Sequence, residues 1–159
     1  MANKAIANIS AKIFSNIARS GMTGSLTFKP PNSTEKWLYV SKSVTSSSAN
    51  LIDTTYDYLG ATAAVSLSDV VRWICIKNLS TSSTDGVAVC LAGGAAAYNG
   101  TNSMIIGSGE IMAFKCSSGT TFEHIHAISV TMDGEYGYVS GTNSTSVRVE
   151  IAAIADDIG

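Results

Sequence analysis

The sequence predicts an all-β fold, an antiparallel sandwich or barrel preceded by one amphipathic helix, and three observations carry that expectation. Short runs rich in β-branched and aromatic residues recur from Gly24 onward. Turn-forming pairs such as Asp85-Gly86, Asn99-Gly100 and Ser118-Gly119 separate them. No helix-period pattern alternates with these runs, which disfavours an α/β fold. The 159 residues suit one core, whose folding hides roughly 70% of the unfolded chain's surface.

The first element is read over residues 1–23. Ile6, Ile9, Ile13 and Ile17 fall three, four and four residues apart, which gathers them on one stripe of a helix with Lys4, Lys12 and Arg19 opposite. Gly21 is a plausible stop. An isolated helix of this length is marginal in water, so the stripe needs a surface to dock on. Its own domain, a neighbouring subunit and a membrane surface all remain open as that surface, although three positive charges give little pull on lipid.

Residues 24–159 form the predicted β domain. Strands are expected at "SLTFK", "KWLYVSKSV", "VVRWICIKN", "GVAVCLA", "SMII", "IMAFKC", "FEHIHAISVTM", "YGYVS" and "SVRVEIAAI". Eight or nine closely spaced strands argue for a sandwich or barrel. The stretch around Leu51, Ile52, Tyr56, Tyr58 and Leu59 leaves its type open. Asp156-Asp157 reads as a solvated tail.

Composition narrows the function classes. Charged residues make up only 14% of the chain, against about 25% in ordinary domains. Its 23 Ser and 15 Thr replace them as solvating groups. A net charge of −2 offers no general attraction to nucleic acid. No run is long enough to span a bilayer and no secretion-type h-region appears, so synthesis in a reducing cytoplasm is expected. Cys75, Cys90 and Cys116, odd in number and without C-x-x-C spacing, are expected as small buried side chains.

His124 and His126 would share one face of a strand, a geometry fit for a metal. The pair resembles the first half of the cupin metal motif. Gly119 is nearly in place before it, but no glutamate follows closely, the only prolines are Pro30 and Pro31, and there is no third histidine. Buried or interface histidines are therefore expected, with no cofactor. "GSGEIM" lacks the third glycine of a phosphate cradle, and no G-x-S-x-G elbow occurs, so no catalytic residue is assigned.

Gly86 to Gly109 contains no charged residue in 24 positions, and its six glycines rule out a membrane span. Such strands are either covered on both faces or present a flat surface that a partner buries. The second reading is favoured, with Tyr98 as its anchor.

The succession "VVRWICIKNLSTSSTDGVAVCLAGG", "MIIGSGEIMAFK", "TFEHIHAISV" and "VRVEIAAI" resembles the jelly-roll virion proteins of tailed bacteriophages over roughly Val70 to Ile154. The resemblance implies a jelly-roll sandwich in a homotrimer on the capsid exterior, decorating or cementing the major capsid protein without catalysis. Ile6, Ile9, Ile13, Ile17 and Tyr98 are then the expected partner-binding residues. A tail or fibre module that binds carbohydrate through Tyr56, Tyr58, Tyr136 and Tyr138 is the alternative, and a cupin-like metalloprotein a more distant one.

Overall fold

The computed structural model describes residues 4–14, 19–28, 35–56, 58–59, 65–91, 103–133, 139–142 and 145–156. The chain divides into two compact units, residues 1–33 and 34–159.

The first unit is a β-hairpin and not the expected helix. β1 (Ala5–Phe14) pairs antiparallel with β2 (Arg19–Phe28) without a register shift, from Ala5 opposite Phe28 to Phe14 opposite Arg19. A competing period explains the correction. Ala7, Ile9, Ala11 and Ile13 also alternate with the polar Asn8, Ser10 and Lys12, and β-branched isoleucine fits a strand better than a helix. Accordingly Ala5, Ala7, Leu26 and Phe28 are half-buried, while Ile6, Asn8, Thr23, Ser25 and Thr27 are exposed. Ile6 therefore lies on the opposite face from the Ile9 and Ile13 positions, and the helical stripe does not exist. Ile17 falls outside the described residues. The expected boundary at residue 23 lies inside β2.

The second unit is a sandwich of two antiparallel sheets. Its strands are β3 (Glu35–Val44), β4 (Ala49–Asn50), β5 (Val70–Asn78), β6 (Asp85–Cys90), β7 (Ser103–Ile106), β8 (Ile111–Lys115), β9 (His126–Met132), β10 (Val139–Thr142) and β11 (Val147–Asp156). One sheet runs β3-β11-β5-β8, and the other β10-β9-β6-β7 with β4 also on β9. Apart from β10, the pairing is nested: β3 with β11, β4 with β9, β5 with β8 in one sheet, and β6 with β7 in the other. That nesting is the jelly roll, two Greek keys wrapped into a sandwich.

Period-two patterning fills the space between the sheets. Val147, Val149, Ile151 and Ala153 of β11 face inward with Leu38 and Val44 of β3 and Ile74 and Ile76 of β5. Val87, Val89 and Ile106 meet them from the other sheet. The ambiguous stretch after β4 is a loop pinned from below. Leu51 and Ile52 are 1% and 0% exposed, and Tyr58 sits edge-on to Phe122 at 5.8 Å. Asp156 corrects the tail reading, since it belongs to β11 and accepts from Arg72 Nη2 at 2.6 Å and Nε at 3.1 Å. Asp85-Gly86, expected as a turn, begins β6 instead, and the reversal precedes it, with Asp85 N–H donating to Ser82 O at 3.0 Å.

Candidate partner-binding surface

Of the charge-free stretch, β6 and β7 are among the described residues and residues 92–102 lie outside them. Gly86 through Cys90 are buried on both faces, so this strand is interior and offers no partner surface. Val87 and Val89 fill the main core, while Ala88 packs with Ile128, Val130 and Met132 on the far side of the sheet. Covered strands need no charges, which accounts for their lack from Gly86 to Cys90. Tyr98 lies outside the described residues.

The histidines do not form a metal pair either. His124 sits in a single 3-10 turn, Phe122–His124, and His126 opens β9, so they do not share a strand face. His124 Nδ1 accepts from Thr121 N–H at 3.0 Å and lies 2.7 Å from Thr121 Oγ1. His126 Nε2 is 2.7 Å from Glu123 O, and a carbonyl only accepts, so this nitrogen carries the proton and donates. Each ring is thereby engaged by its own turn. Among the described residues no group of three or more His, Cys, Asp and Glu is placed to hold a metal.

A groove of about 360 Å³ opens at one end of the sandwich, lined in part by Thr81, Ser83, Ile105, Glu110, Met132 and Asp133. Its polar groups are partly committed to holding loops. Glu110 Oε2 accepts from Gly107 N–H at 2.7 Å, and Ser108 Oγ donates to Ser80 O at 2.6 Å. The turn beneath requires Gly109, at φ +71°, where a side chain would be strained.

The outer face of the β3-β11-β5-β8 sheet is different. Register places Tyr39, Ala152, Cys75 and Ala113 side by side across the four strands. Tyr39 is 72% exposed, and the three small residues are half-buried. None carries a charge. One row away, Ser41, Glu150, Lys77 and Ile111 follow in the same order, with Ile111 65% exposed. On the other side come Trp37, Ile154, Trp73 and Lys115. Trp73 is buried and its Nε1–H has no acceptor among the described residues.

The uncharged row thus lies between rows that carry Glu150, Lys77 and Lys115. The Glu150 carboxylate, then partial desolvation and a hydrogen bond to Glu150, raise the Tyr39 phenol above its ordinary range. Burial raises the Cys75 thiol of this row and pushes that of Cys116, which follows β8 and packs against the core, up to about 12. All three cysteines are free; Cys90 is buried as expected, whereas Cys75 and Cys116 are only half-buried.

The expected tyrosine platforms fare less well. Tyr58 donates its hydroxyl to Asp53 O at 2.7 Å and packs on Phe122, and Tyr56 holds Lys42 Nζ 5.6 Å from its ring centroid. Tyr136 and Tyr138 lie outside the described residues. Tyr39 was the residue missed, although the alternation of Trp37, Tyr39, Ser41 and Ser43 against Leu38, Val40 and Val44 carries the signal for it. Among the described residues no helix is long and apolar enough to cross a membrane. No protein-family model matches the chain, and neither does any curated protein sequence.

Proposed function

We propose that this chain is a structural virion protein that decorates or cements a phage capsid by binding the major capsid protein. The observation that carries the reading is the uncharged row Tyr39, Ala152, Cys75 and Ala113 on an open sheet face, flanked by exposed Ile111. Interface cores are depleted of charge and enriched in tyrosine, and small residues let another backbone approach closely. The resemblance to virion jelly rolls supplies the identity of the partner.

Area sets the strength of the contact. Four strands of ten, ten, nine and five residues, spaced about 4.8 Å and rising about 3.3 Å per residue, give a face on the order of 500 Å², below the roughly 800 Å² per partner of a standard interface. One copy then binds weakly, and occupancy depends on several copies being joined. The test is cosedimentation of purified chain with capsids. Ala152→Glu with Ala113→Glu places charge in the row while leaving the inner faces untouched, and the expected result is loss of at least about tenfold in affinity, the cost of roughly one buried unpaired charge. Unchanged binding sinks the assignment of this face.

Tyr39 also supports a second reading, a glycan platform, because it is an exposed ring beside the hydroxyls of Ser41 and Ser43. Retention on a glycan screen that Tyr39→Ala abolishes, with no binding to capsids, selects that reading.

A further inference from the structure

Charge is divided unequally between the two units. Residues 1–33 contain Lys4, Lys12, Arg19 and Lys29 and no Asp or Glu, leaving six basic against twelve acidic residues in 34–159. A basic hairpin and an acidic sandwich thus come from one sequence.

The hairpin also has reason to seek a surface. Two strands alone are marginally stable in water, and a third layer is needed to cover an apolar face. Here Ala5, Ala7, Leu26 and Phe28 share a face by register and remain half-buried within the single chain, so they have area left to bury.

Only six residues separate Phe28 from Glu35, and two of them are Pro30 and Pro31. Exchange of an identical element between copies is a low-cost route to a closed oligomer.

We infer that the β1–β2 hairpin is an exchanged arm that docks, by its apolar face and its positive charge, on the acidic jelly-roll body of a second copy of this chain. The inference adds a copy-to-copy contact to the adhesive reading and stands independently of capsid binding. It also meets the requirement set by the small sheet face, since joined copies bind a surface with avidity.

The experiment uses the full chain, mixed in equal parts as unlabelled and nitrogen-isotope-labelled protein. A zero-length carbodiimide reagent then couples amines to carboxylates. The expected products join an arm lysine, Lys4, Lys12 or Lys29, of one isotope to a body Asp or Glu of the other. Sedimentation of the same sample gives an oligomer whose association weakens by about tenfold or more between roughly 0.05 M and 0.5 M NaCl, as screening requires.

Lys4→Glu with Lys12→Glu and Arg19→Glu shifts the mass to the monomer, while fluorescence of buried Trp73 confirms that the body is folded. Single-isotope products alone mean that the arm returns to its own body, and they overturn the inference. So does a wild-type monomer at low salt, or an oligomer indifferent to charge reversal. Retention of the arm by DNA or anionic vesicles without mixed-isotope products also overturns it. Copies that join but ignore capsids reject the proposed function and leave this inference standing.

Discussion

Lys36 is 1% exposed, on β3, and its Nζ lies 3.0 Å from Asp69 Oδ2, also 1% exposed, just before β5. Ser66 supplies its backbone N–H at 3.1 Å and its hydroxyl at 3.0 Å to the same carboxylate. Two desolvated charges gain little over an apolar pair, but removing one leaves the other stranded. Lys36→Met is therefore expected to cost about 3–5 kcal/mol in denaturant unfolding. Adding Asp69→Asn removes the stranded charge and keeps an oxygen for Ser66, so the double variant recovers most of the loss. Equal losses in single and double variants refute this account. The pair was not legible in the sequence, because Lys36 reads as one more charge at a strand start. Nothing local shows that a residue 33 positions away will close over it.

At the scale of elements, turns were legible where the residues dictate backbone shape. Ser118-Gly119 is such a case, with Thr120 N–H donating to Ser117 O at 3.1 Å. The end of β5 is fixed by a side chain instead. Asn78 is fully buried and donates Nδ2–H to Asp85 O at 3.1 Å and Ile106 O at 3.2 Å, while its Oδ1 accepts from Ser80 N–H at 2.9 Å. The hairpin was not legible, since Ile6, Ile9 and Ile13 satisfy a helical spacing and Ala7 to Ile13 a strand alternation at once. Only the partner strand settles which period wins. Gly86 was misread in a related way, because its role depends on a neighbouring strand. An added Cβ would lie 2.6 Å from Met132 Sδ and 3.0 Å from Val130 Cγ2. Gly86→Ala is expected to destabilise by about 1–3 kcal/mol through overpacking between β6 and β9. A neutral midpoint in urea shows that Met132 yields freely and removes the steric argument.

For the whole molecule, sparse charge has two separate causes. Strand β6 lacks charge because both its faces are covered, and the row from Tyr39 to Ala113 lacks it on a face that stays partly open. Composition alone cannot distinguish these. The distinction has a measurable consequence once arm exchange and face binding are combined. A single face of about 500 Å² holds weakly, whereas linked faces raise avidity by about 10²–10⁴ without any new contact. The arm variant Lys4→Glu, Lys12→Glu, Arg19→Glu is therefore expected to bind isolated capsid protein as wild type does. On intact capsids it should lose about 10²–10⁴ in apparent affinity, because neighbouring sites can then no longer be engaged together. The face variant Ala152→Glu, Ala113→Glu should lose affinity for both targets. If the arm variant instead weakens binding to isolated capsid protein as much as to capsids, the hairpin contacts the capsid directly and avidity is not its contribution.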